Sequence, residues 1–139
     1  MMPFDYFLKM QEVRKTSANL ELAKSLIKDM KERINKTNML DIDVFAKIIF
    51  ENIYDGLRDF CDSLLALDGF KSYSHQASIS YLFKKGFDIS VVEELDGFRY
   101  KRNGSKYYGE EIGPSDAKEI KDFYNRIKVK INKSVSDLE

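Results

Sequence analysis

One cysteine, one histidine and two prolines in 139 residues exclude several chemistries before any pattern is read. A lone cysteine, Cys61, forms no internal disulfide and supplies no cysteine-based metal site, as a reducing cytoplasm would lead one to expect. It stands among Phe60, Leu64 and Leu65, the setting of a small core residue rather than of a reactive thiol. The single histidine, His75, is not spaced with Cys61 as a zinc ligand pair, and Asp41/Asp43 and Glu110/Glu111 read as helix-entry or loop acids. No metal and no cofactor is expected.

An excess charge of either sign is also missing. Lys+Arg and Asp+Glu both number 23, so any polyanion site has to be local. No apolar run approaches the roughly 18 residues of a membrane span, and Met1–Asp5 lacks the basic start of a signal peptide. The expectation is a soluble, cytoplasmic protein with no membrane contact. Pro3 and Pro114 lie outside the helical patterns, and no repeat, low-complexity tract or Pro/Gly-rich linker divides the chain. One domain over residues 1–139 is therefore expected.

What is present is helical periodicity. Phe4, Phe7, Leu8 and Val13 suggest a short helix from Phe4 to about Arg14. Ser17 reads as the N-cap of a second helix striped by Ala23, Ile27, Met30 and Ile34. A long third helix, from near Asp43 to Leu67, presents Ile49, Ile53, Leu57, Phe60 and Leu64 on one face and anchors the core. Gly69 has the position of a left-handed C-terminal cap, and Ser74 that of the next N-cap. Gly86 closes the fourth helix. Ser90-Val91-Val92-Glu93 has capping-box spacing for a fifth, which Asn103-Gly104 is expected to break, and Pro114 opens the last. No strand is expected. The reading is an all-α, up-and-down bundle of about five to six helices.

The richest stretch for function is residues 98–109, where Arg99, Lys101, Arg102 and Lys106 cluster without an acid around Asn103-Gly104, beside Tyr100, Tyr107 and Tyr108. Such a patch suits a phosphate or an acidic partner; the plainer alternative is a solvated helix end whose cations complement the helix dipole. Gly104-Ser105-Lys106 lacks the glycine spacing of a phosphate loop, and Ser74-His75 has no triad arrangement. Asp55 and Arg58 read as a structural ion pair on the long helix. The remaining tyrosines, among them Tyr54 and Tyr73, are too many all to be core residues, because each buried hydroxyl needs a partner.

The segments Tyr54–Arg58, Gly69–Ala77 and Arg99–Gly109, in this order, resemble the archaeal-type HEPN domain family over nearly the whole chain. The resemblance implies a helical bundle that commonly forms a homodimer and is often encoded beside a small nucleotidyltransferase as a toxin–antitoxin pair. Many members are metal-independent ribonucleases, with an arginine, a following polar residue and a histidine after four to six intervening residues. Arg102 and Asn103 match the first two, and Tyr107 stands where the histidine is usual. The family's tyrosine two places further on would fall on Gly109, beside Tyr108.

Metal-free RNA cleavage needs groups that take and give protons near neutral pH. Histidine titrates there, whereas tyrosine, with an ordinary pKa of about 10, does not. Arg102 can still grip a phosphate bidentately, and His75 is the only histidine available to replace the missing one. The candidate catalytic set is therefore Arg102, Tyr107 and His75. The candidate RNA- or nucleotide-binding set is Arg99, Lys101, Arg102, Asn103, Lys106, Tyr107, Tyr108, Lys71 and Tyr73. Three functions follow: a weakly active or non-catalytic RNA- or nucleotide-binding module, a metal-independent endoribonuclease toxin, and a scaffold that binds a nucleotidyltransferase.

Overall fold

In a computed structural model describing residues 1–138, the chain forms an all-α helical bundle of six helices, with one two-stranded sheet attached. Helix α1 (Phe4–Lys9) buries Phe4 and Phe7 but stops well short of Arg14. Gln11 has a φ of 61°, a left-handed conformation that ends the helix. The chain then runs out as strand β1 (Val13–Lys15), which pairs antiparallel with β2 (Phe70–Ser72) in the register Val13↔Ser72, Arg14↔Lys71, Lys15↔Phe70. The expectation of no strand is thus corrected.

Gly69 makes this pairing. With φ at 79° it caps α3 (Ala46–Asp68) in the left-handed region, and its carbonyl accepts a hydrogen bond from the Thr16 N–H at 2.8 Å. A Cβ there would lie 2.8 Å from the Thr16 carbonyl oxygen, so the position needs glycine twice over.

Helix α2 (Leu20–Thr37) is capped by Asn19, not Ser17: the Asn19 side chain accepts from the Leu22 N–H at 2.9 Å. Helix α3 begins three residues later than expected because Asp41 Oδ1 accepts from the N–H groups of Asp43 and Val44, holding them in a turn. The α2–α3 pair is the most extensive helix contact, and Gly56 lets the two approach closely: a Cβ on Gly56 would come within 2.8 Å of Ile34 Cγ1. Helix α4 (His75–Lys84) takes Ser74 as its N-cap, as read from sequence, with Ala77 N–H donating to the Ser74 hydroxyl at 3.0 Å.

Helix α5 (Ile89–Tyr108) differs most from the sequence reading. It starts after Asp88 rather than at Ser90, runs unbroken through Asn103-Gly104 and closes at Gly109, whose φ is 71°. Gly104 is buried beneath the returning Glu110 carboxylate, and its carbonyl accepts from the Glu110 N–H at 3.2 Å. A helix-interior glycine costs about 1 kcal/mol against alanine, a penalty that tertiary packing overrides. Helix α6 (Pro114–Val135) begins at the predicted proline, with Asp116 accepting from the Gly113 N–H.

The apolar stripes of these helices meet in one contiguous core around Phe50, Phe60, Leu95 and Phe123. Phe98 packs edge-on between Phe50 and Phe123, with ring centroids 5.9 and 5.3 Å away, and so fixes the rotation of α5. Cys61 is buried, and burial pushes its thiol pKa up, away from reactivity. Among the described residues no helix is long and apolar enough to cross a membrane.

Candidate functional site

Because α5 continues past Asn103, its basic residues do not surround a turn. On a helix, residues 99, 102 and 106 share one face, and Lys101 lies on the other. The face with Arg99 and Arg102 packs toward α3 and α4, whereas Lys101 pairs with Asp116 of α6 at 3.2 Å. The cation cluster read from sequence is therefore divided by the helix.

At the α3–α4–α5 junction, Tyr54 supplies the organising side chain. It is fully buried, its hydroxyl lies 3.1 Å from Nδ1 of His75, and the two rings stack at an interplanar angle of 22°. The Arg102 guanidinium stands over the Tyr54 ring, 5.4 Å from its centroid, and reaches Asp55 Oδ1 at 3.3 Å. Arg58, one turn beyond Tyr54 on α3, bonds Asp62 at 3.2 Å, and Arg99 bonds Asp96 at 2.6 Å. The expected Asp55–Arg58 pair is thus replaced by two others: Asp55 turns to Arg102, with Arg33 at 3.9 Å, and Arg58 takes the acid at i+4.

These three arginines are largely covered, with side-chain exposures of 19% for Arg58, 18% for Arg99 and 17% for Arg102. The Nε atoms of Arg58 and Arg102 are buried and have no hydrogen-bond partner among the described residues. A buried donor without an acceptor is costly, and in native proteins it often faces a ligand or water.

The field sets the protonation states. Partial burial, followed by the charges of Arg58, Arg102, Arg99 and Lys106, lowers the His75 pKa from 6.5 to about 4. Burial raises the Tyr54 phenol above its ordinary value, despite Arg58 and Arg102 nearby. Both groups are neutral at pH 7. The buried Tyr54 hydroxyl has His75 Nδ1 as its one hydrogen-bond partner among the described residues, so its proton goes there and the His75 proton sits on Nε2. The cluster then offers guanidinium N–H groups and an imidazole Nε2–H: donors suited to an anion, with no base that is strong near neutral pH.

Of the sequence candidates, the structure brings Arg99, Arg102 and His75 together, and Lys106 acts on His75 through its charge. Tyr107 and Tyr108 stand apart on the last turn of α5, 67% and 81% exposed; the Tyr107 ring meets Lys106 Nζ at 5.5 Å. Asn103 is half-buried on the same turn as Arg102. Lys71 and Tyr73 sit on and beside β2. Tyr54 and Arg58 are the members whose roles sequence reasoning missed, although their i, i+4 spacing on a long helix was the available signal.

Comparison of the chain with protein-family models, with curated proteins and with solved structures finds no match in any of the three.

Proposed function

We propose that the chain is a HEPN-like module that binds RNA or a nucleotide through the Arg58–Arg99–Arg102–His75 donor cluster and carries out little or no cleavage. The observation that supports this most is the convergence of the Arg58, Arg99 and Arg102 charges on a neutral His75 whose Nδ1 is engaged by Tyr54. A phosphate suits the guanidinium N–H groups on the part of these side chains that remains exposed. Tyr107, at the position usual for the family's histidine, is exposed and away from Arg102's stacking partner, so it gives the cluster no proton donor or acceptor. The test is binding of labelled RNA across salt concentrations: Arg102→Ala removes most of the affinity at every salt concentration, including what persists at high salt.

A second reading, a metal-independent endoribonuclease, has one observation in its favour: Arg102 and His75 both contact Tyr54. Incubation with structured RNA in the presence of a chelator separates the two. Cleavage that is lost in both Arg102→Ala and His75→Ala supports the ribonuclease; intact RNA supports the binding module. The exposed Tyr100, Tyr107 and Tyr108 are the residues we assign to protein contact, whether with a second copy or with a nucleotidyltransferase partner.

A further inference from the structure

The small sheet carries an arrangement that the donor cluster does not use. Arg14 and Lys71 are direct cross-strand partners and are both exposed. Like charges placed opposite each other on a sheet repel, and neither residue has an acidic partner among the described residues. Both instead approach one aromatic ring: Arg14 Cζ lies 5.6 Å and Lys71 Nζ 5.5 Å from the centroid of Tyr73, which is 61% exposed. Two cations without acids and an exposed aromatic ring are the two parts of a single-strand site, phosphate charge and base stacking.

The position of the sheet links it to the cluster. Tyr73 precedes His75 by two residues, and the intervening Ser74 is fixed as the α4 N-cap. Lys71 also lines a groove of about 430 Å³ whose walls include Leu22, Leu65, Phe70, Ser72 and Asp62, the acid that bonds Arg58. Its mixed apolar and hydrogen-bonding lining suits a base.

We infer that the outward face of the β1–β2 sheet is a single-stranded RNA subsite, in which one base stacks on Tyr73 while Arg14 and Lys71 hold the adjoining phosphates. It extends the strand path away from the Arg102 cluster, and it rests on the reading of the chain as an RNA binder. Duplex RNA fits poorly, because its bases are already stacked and its backbone does not open toward a single ring.

Fluorescence anisotropy with a short labelled oligouridine tests the subsite on the whole chain. Tyr73→Ala is expected to weaken binding about tenfold, and Tyr73→Phe to leave it unchanged, because stacking uses the ring and not the hydroxyl. Replacing Arg14 and Lys71 together by Gln lowers the steepness of log affinity against log salt by about 1.4, at about 0.7 per phosphate contact. Tyr73 joins the fold through its backbone N–H to Glu12, so these exposed variants keep their structure. If Arg102→Ala abolishes binding while the Tyr73 and Arg14/Lys71 variants bind like the wild type, the subsite is refuted and the cluster reading stands. The reverse pattern supports the subsite and removes Arg102 as the anchor. Equal binding of duplex RNA overturns stacking on Tyr73, and no binding of oligouridine by a wild type that still binds structured RNA through Arg102 overturns the subsite alone.

Discussion

His75 is the one imidazole in the chain, so its ring can be followed by NMR without ambiguity, and its titration decides between a donor and a proton-transfer group. Its pKa is lowered to about 4, first by partial burial and then by Arg58, Arg102, Arg99 and Lys106. The unfolded chain takes up this proton near pH 6.5, so between about pH 6.5 and 4 the unfolded state binds more protons than the folded one. The stability associated with neutral His75 is therefore complete above about pH 6.5 and is lost as pH falls toward 4. At 1.36 kcal/mol per pH unit the full shift corresponds to at most about 3 kcal/mol, and screening at a half-buried ring brings it nearer 1 to 2.

The perturbation is Arg58→Ala, compared with Arg102→Ala. Each removes a positive neighbour, so each raises the His75 pKa, Arg58→Ala by more because Arg58 is the larger of the two charge effects. Ring nitrogen shifts in the wild type should show the proton on Nε2 from pH 5 to 8, and Tyr54→Phe should release that preference. A wild-type His75 that titrates near 6.5, or one with its proton on Nδ1, would refute the reasoning and return His75 to the role of general acid–base.

The other predictions concern packing and charge. Gly56→Ala drives a methyl into Ile34 and should destabilise the fold by about 1 to 3 kcal/mol, read as a lower midpoint in urea unfolding. Gly97→Ala, in the interior of α5 with nothing within 4 Å of its added Cβ, should stabilise by about 1 kcal/mol without changing RNA affinity; a loss of affinity would show that a ligand approaches the α5 backbone there. Asp59 has a pKa raised to about 6 by burial, with Arg33 opposing and Asp29, Asp62 and Asp55 reinforcing. Its stabilising contribution is present at low pH and lost as pH rises through about 6, opposite in sign to that of His75. Asp59→Asn should accordingly steepen the loss of stability on acidification below pH 6, as measured by unfolding at several pH values.

The helical bundle was legible because its stripes are long. Ile49, Ile53, Leu57, Phe60 and Leu64 recur over most of a 23-residue helix, and no local exception changes their common face. Boundaries decided by one or two hydrogen bonds were less legible. Asn19 displaces Ser17 as a cap because the Asn19 backbone N–H is also held by the Ala66 carbonyl, a contact between α2 and α3 that no local pattern encodes. The strands are three residues each, too short for an alternation to register. Gly104 misled in the opposite direction: glycine reads as a breaker, yet here it is the residue small enough to lie beneath Glu110. In the site, Arg102 and His75 were identifiable by residue type. What joins them, the Tyr54 ring from a third helix, required the fold.

A chain of zero net charge thus presents a local excess of donors without an excess of positive residues. Each arginine of the cluster has one carboxylate: Asp62 for Arg58, Asp96 for Arg99 and Asp55 for Arg102. Each pair uses part of a guanidinium with five N–H donors, and in Arg58 and Arg102 the Nε–H is left over, buried and unaccepted. The acids fix the forks in place and cancel much of their long-range field, so on the proposed reading a phosphate is held by the exposed N–H groups of preset forks more than by bulk attraction. On the sheet the balance is reversed, since Arg14 and Lys71 have no acids, stand exposed and act through charge. The two surfaces should therefore respond differently to salt, with the sheet contributing most of the ionic-strength dependence and the Arg102 cluster most of the affinity that persists at high salt.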